Sequence, residues 1–260
     1  MPFYELSKGA RLQKYADIQN DILYDLQQAV DSSIRNYFDD MDTYIRRAGY
    51  LAFGRLYRSN FAVRDNIIGL LDKLIGDESE RVRQTVINSC GEIAIFDFPA
   101  VTHLFEIGLL DKHHCVRNAV QGSLKKSGEK NPASIIEFCK NHITNDNPEI
   151  RRQVAHGLEL RGRTHPEDVM PILRLLQFEK HKRVRPMVIH ILGQISYKKG
   201  CLEKVVEELV TWDDKALADD CFEAIIKQNR HANSHFSKAE TLFPADCLAY
   251  INEAKRKIDT

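Results

Sequence analysis

Apolar residues recur at helical spacing along this 260-residue chain, and the same stripe returns every 34 to 37 residues. It starts each time at a β-branched residue followed by arginine: Ile45-Arg46, Val82-Arg83, Val116-Arg117, Ile150-Arg151 and Val184-Arg185. Counted from the arginine, positions +2, +3, +6, +7 and +10 are mainly small or apolar. They read Thr85, Val86, Ser89, Cys90, Ile93 in the second segment and Met187, Val188, Ile191, Leu192, Ile195 in the fifth. That 3.6-residue period predicts a helix of roughly four turns packed on one side. Six residues before each arginine stands Asp40, Asp77, Asp111, Asn145 or Glu179, an acidic or capping type every time. Glycine recurs at +8 (Gly54, Gly91, Gly193). Each costs about 1 kcal/mol against alanine in a helix, so the recurrence predicts the close approach of a neighbouring helix.

A preceding helix completes each unit. Pro99, Pro132 and Pro166 open three of them, at the position where a missing N–H costs nothing. Short polar turns then lead into the second helices. Alternating apolar–polar runs and hairpin turn signals are absent, so no strand is predicted. A repeat period in the thirties means stacked supersecondary units, none of which buries its apolar face alone.

The combination resembles the HEAT-repeat family. Asp77 with Val82-Arg83, Asp111 with Val116-Arg117, and Pro171 inside a first helix carry the resemblance, which covers about residues 40–230. It implies an all-α, right-handed α-α superhelix of the HEAT/armadillo type, with five to six helical repeats and capping helices. Capping helices are expected over 1–40, the array over 41–230 and a last capping helix over 231–260, with 231–238 as a turn before it. In the family the turn aspartate and the arginine of neighbouring repeats form a ladder. Arg46, Arg83, Arg117, Arg151 and Arg185, with Asp77 and Asp111, are therefore expected to be structural. Arg117 is expected to act through Asp111 and a neighbouring turn such as Asp77.

Composition changes this picture little. No apolar run approaches the ~20 residues that span a bilayer, and the N-terminal stretch lacks a secretory h-region. The six cysteines are scattered, without a CxxC pair, which reads as reduced thiols in a cytoplasmic protein. Charge matters more. The total is formally zero, but residues 1–110 carry −4, residues 111–204 carry +8 and residues 205–260 carry −4. A basic middle between acidic ends makes a local field that suits an anionic partner.

The candidate chemistry lies on the face of the second helices opposite the core stripe, at +1, +5, +9 and +12. Arg47, Arg55, Asn88, Glu92, Asn118, Lys126, Arg152, His156, Arg163, His190 and Gln194 occupy it. Basic and amide groups in this number hydrogen-bond phosphates or carboxylates. His156 and His190 fall in equivalent places one repeat apart, yet Asn88 and Glu92 lie two repeats from His156, so no metal and no cofactor is expected. No phosphate loop, nucleophile elbow or zinc motif is present.

The expected function is a non-enzymatic scaffold holding an acidic protein segment or nucleic acid on a basic concave surface; the sequence leaves the two open, and the oligomeric state with them. A weaker resemblance is to the HEAT-like-repeat alkylpurine DNA glycosylases of DNA alkylation repair. In that group tryptophans and a groove carboxylate engage the damaged nucleotide. Here Glu92 is the best-placed carboxylate, and the single tryptophan, Trp212, lies in the acidic terminal repeat. A HEAT-like bilin lyase or maturation scaffold is the third alternative.

Overall fold

The computed structural model describes residues 3–198, 200–235 and 244–256. Among them there is no strand. Two compact units divide the chain, Met1–Ser134 and Ile135–Thr260. The first contains α1 (Lys8–Gln28), α2 (Ser32–Asp39), α3 (Thr43–Ser59), α4 (Arg64–Leu74), α5 (Glu80–Ala94), α6 (Thr102–Leu109) and α7 (His114–Lys130). The next helix, α8 (Pro132–His142), begins at the end of this unit. The second unit continues with α9 (Pro148–Gly157), α10 (Glu159–Gly162), α11 (Pro166–Leu173), α12 (Arg185–Ser196), α13 (Leu202–Leu209), α14 (Lys215–His235) and α15 (Pro244–Arg256).

The five acidic or amide residues that precede the arginines build the same turn five times. The side-chain oxygens of Asp40, Asp77, Asp111, Asn145 and Glu179 each accept the backbone N–H two residues on, at 2.7–2.9 Å. Short polar side chains close such turns readily, and this one sets the entry angle of the second helix. The arginine six residues later then donates back to the turn. Nη1 of Arg46, Arg83, Arg117 and Arg151 reaches the carbonyl of Asp40, Asp77, Asp111 and Asn145 at 2.6–2.8 Å.

The ladder runs forward. Arg83 makes a bidentate pair with Asp111 at 2.7 and 3.1 Å, Arg151 reaches Glu179 at 2.7 Å, and Arg185 reaches Asp220 at 2.8 Å. Asp77 does not serve Arg117, contrary to expectation. Its carboxylate is held by Arg35 of α2 at 2.8 and 3.1 Å, while Arg117 bonds the carbonyls of Asp111 and Lys112 in its own turn. The reason is directional: Arg83, Arg151 and Arg185 reach towards the following repeat, and α2 supplies the cation for Asp77.

Packing follows the stripe. In the first unit α3, α5 and α7 lie side by side, and Phe53, Val82, Val86, Cys90, Ile93 and Leu124 are buried between them and the first helices. Each such side chain contributes about 1.5–3 kcal/mol. Gly54 and Gly91 mark the close approaches. A Cβ at Gly54 would lie 2.4 Å from Cβ of Glu92, and one at Gly91 would lie 2.5 Å from Oγ of Ser123. In the second unit Val154, Leu158, Val188, Ile191, Leu192 and Ile195 form the equivalent core, and Trp212 is fully buried.

The expected turn over 231–238 is corrected in part: α14 runs on to His235, because no proline or glycine interrupts Lys215–His235. Residues 236–238 lie outside the described residues. Among the described residues no helix is long and apolar enough to cross a membrane. All six cysteines are free. Burial pushes the Cys90 and Cys139 thiols far up, which keeps them protonated.

Candidate polar site on the second helices

In the first unit the predicted face is spread out. Arg47 is exposed on α3, and Arg55 donates to Oε1 of Gln19 at 3.0 Å. Asn88 is half-buried on α5, and Asn118 is exposed on α7. Glu92 and Lys126, at equivalent +9 positions, form an ion pair. Glu92, the carboxylate singled out from the sequence, is thus engaged by a lysine and packed over Gly54.

In the second unit the predicted residues converge, and they do so on one that the sequence pattern does not single out. Glu159 is 3% exposed. Its Oε1 accepts from Nη2 of Arg163 at 2.5 Å, and its Oε2 lies 2.8 Å from Nε2 of His156 and 4.0 Å from Nε2 of His190. Arg163 also donates to Oε1 of Gln194 at 2.6 Å, and its guanidinium sits over the ring of Tyr197. The two imidazoles meet edge to face with centroids 5.7 Å apart. His156, Arg163, His190 and Gln194, read from separate register positions, therefore surround a single buried carboxylate.

Local backbone geometry places it. The second helix of this repeat is interrupted at Leu158, whose N–H turns to the carbonyl of Ala155 at 3.2 Å, and α10 resumes at Glu159. Glu159 stands at +8, where α3, α5 and α12 carry Gly54, Gly91 and Gly193. A side chain at +8 points towards the next second helix, so a carboxylate there is aimed at α12. That departure from glycine is the signal that could have found it. Contrary to the expectation from Asn88 and Glu92, which lie two repeats away, Glu159 supplies a third donor beside His156 and His190.

Arg152 extends the site towards the turn before α12. It grips Glu149 with Nε and Nη2 at 3.2 and 2.7 Å, and Arg183 reaches the same carboxylate at 3.1 Å. Burial alone would push the Glu149 carboxyl up. The hydrogen bonds and charge of Arg152, the bond from Gln153 and the charge of Arg183 outweigh it and hold the group below its ordinary value. Two arginines are thereby fixed by one ionised glutamate, and Arg152 stands four residues before His156 on the same helix face.

No family model matches the chain, and no curated protein matches it. Solved structures do. AlkD2 from Streptococcus mutans superposes with a TM-score of 0.58 at 16% identity, over 78% of this chain and 98% of that one. Designed armadillo repeat proteins also match: one at TM-score 0.33 and 13% identity, over 74% and 98% of the two chains, and one in complex with a (KR)4 peptide at 0.34 and 11%, over 85% and 98%. At 16% identity the likeness to AlkD2 is one of fold alone, and the fold of this chain is the α-helical repeat of the HEAT/armadillo type.

Proposed function

We propose that the chain is a binding scaffold whose second unit holds the backbone of a nucleic acid along α9, α10 and α12. The observation that carries this is a set of arginines fixed by carboxylates in α9, at the end of α10 and in the turn before α12: Arg152 and Arg183 on Glu149, then Arg163 on Glu159. Ordering a long cationic side chain in advance removes entropy that phosphate binding would otherwise cost. Lys180 and Arg183 stand exposed in the turn before α12, with Lys182 beside them, and the +8 charge of residues 111–204 adds a long-range attraction. An acidic protein segment would meet the same cations, but it lacks the even spacing of phosphates that a repeat can follow.

The test is anisotropy of labelled duplex DNA, single-stranded RNA and a polyglutamate peptide at two salt concentrations. The logarithm of the nucleic-acid affinity should fall linearly with the logarithm of the salt concentration. Replacing Arg152 and Arg183 together by Ala should weaken it and flatten the slope by roughly 0.7–0.9 per lost phosphate contact. Binding of polyglutamate alone would move the proposal to a protein partner.

A second reading rests on Glu159. A buried carboxylate on this face is what a glycosylase of the HEAT-like-repeat type would need, and Glu159 replaces Glu92 in that role. Trp212 is fully buried and has no access to a base. With the stacking partner lost, the expected result is no release of 3-methyladenine or 7-methylguanine from methylated duplex. Release that Glu159→Gln abolishes would make the protein an enzyme.

A further inference from the structure

We propose that His156, Glu159 and His190 form a binding site for a divalent transition-metal ion of the zinc class. Two imidazoles and one carboxylate are a donor set that zinc takes in open, three-ligand sites. The three ligand atoms lie within 4.8 Å of one another. A tetrahedral ion with bonds of about 2.0–2.1 Å needs its ligand atoms roughly 3.3 Å apart. Nε2 of His156 is 2.8 Å from Oε2 of Glu159 and must move out by about half an ångström. Nε2 of His190 is 4.0 Å from the same oxygen and must move in by slightly more. Both shifts are within rotamer adjustment, and His190, with 51% of its side chain exposed, has room to make the larger one.

The surroundings are arranged for this use. Arg163 holds Oε1 of Glu159 at 2.5 Å and is itself held by Gln194. The carboxylate is thereby oriented with Oε2 towards the histidines, as an outer-shell partner orients a ligating group. The exposed side of His190 leaves a fourth position open to solvent. Two features set the affinity below that of the tightest zinc sites. The Arg163 cation opposes the ion electrostatically. Nδ1 of His156 is buried without a hydrogen-bond partner, so the outer-shell acceptor of this ligand is missing, a loss of roughly 10- to 100-fold. The site should therefore be a moderate, exchangeable one.

One other cluster competes. His113, His114 and Cys115 also bring three donors together, but they are consecutive residues at the start of α7, and His114 is exposed. The test uses the full chain carrying His114→Ala and Cys115→Ser, titrated with Zn(II) by calorimetry and with Co(II) by visible absorption. The expected result is one equivalent bound, with the intense ligand-field bands of four-coordinate Co(II). Adding His190→Ala, at a half-exposed position that should not disturb folding, should cut affinity by more than the 10- to 100-fold of an outer-shell change. Circular dichroism verifies the fold of each variant. Absence of binding in the His114→Ala/Cys115→Ser chain, or binding that His190→Ala leaves unchanged, overturns the proposal. Zn(II) binding should survive Arg152→Ala/Arg183→Ala, whose side chains sit on Glu149, which separates the two assignments.

Discussion

Eight residues past the repeat arginine, α5 carries Gly91 and the α9–α10 segment carries Glu159. The same register position makes opposite use of the space between neighbouring second helices. At Gly91 the next helix comes so close that a Cβ would meet Ser123 at 2.5 Å, and Oγ of Ser123 bonds the Ile87 carbonyl across the gap. At Glu159 the helix is interrupted, and the space is filled by a carboxylate, an arginine and two histidines. A repeat protein has few ways to open a polar site without exposing its core. Substituting the position that normally seals adjacent helices is one of them, because it changes the contact and leaves the apolar stripe untouched.

The largest expected effect tests what both regions share, the ladder. Arg83 and Asp111 are each under a tenth exposed at the side chain, so Arg83→Ala strands a buried carboxylate. Breaking such a pair costs about 3–5 kcal/mol. Urea unfolding should show it, and a loss under ~1 kcal/mol would mean the pair is decorative. The pH dependence has a defined sign. Burial would raise the Asp111 carboxyl, but the bonds from Arg83 and the His113 N–H, with the Arg83 charge, hold it below its ordinary value. The folded state therefore binds this proton less readily than the unfolded one. The stabilisation is complete above the unfolded value of about 4 and is lost as pH falls through the folded one. Arg83→Ala should flatten the acid limb of the stability curve.

The next effect belongs to the polar region. Glu159→Ala leaves Arg163, about a quarter exposed, facing two histidines without its counter-charge. Partial access to water softens the loss to about 3 kcal/mol. Glu159→Gln, which keeps the shape and one acceptor, should lose distinctly less. Equal losses in urea unfolding would mean that packing rather than charge holds this site, and the contrast with Gly91 would then be one of volume alone.

The architecture was legible because its causes are periodic. Val86, Ser89, Cys90 and Ile93, and Val188, Ile191, Leu192 and Ile195, are buried as the stripe requires. The five turn-closing side chains recur for the same local reason. The site was half legible. His156, Arg163, His190 and Gln194 fell on the right face because a helix period fixes which positions share a face. Glu159 did not stand out because +8 is glycine in only three of the five repeats, and Lys125 departs from it as well, so the departure was a weak signal. The ladder's direction was not legible either. Asp77 is served by Arg35 and Asp111 by Arg83, and which way a long side chain leans depends on the neighbouring repeat, which sequence spacing does not encode.

The smallest effect belongs to the helical glycines. Gly122 of α7 and Gly91 of α5 are both helical glycines in the same unit. Around Gly122, however, nothing lies within 4 Å of where a Cβ would stand. Propensity and packing then separate cleanly. Gly91→Ala gains helix propensity but forces Ser123 away, and its Cβ and Cα, at 2.7 and 3.3 Å, give way only if the helices part. Overpacking of this kind costs roughly 1–3 kcal/mol. Gly122→Ala meets nothing and should gain up to ~1 kcal/mol from propensity alone. Thermal unfolding of the two variants should therefore move in opposite directions from the parent. If both rise, the approach of α7 to α5 is loose enough to admit a methyl group, and glycine at +8 is not what seals the stack; if both fall, Gly122 has a packing role that the open space around it does not reveal.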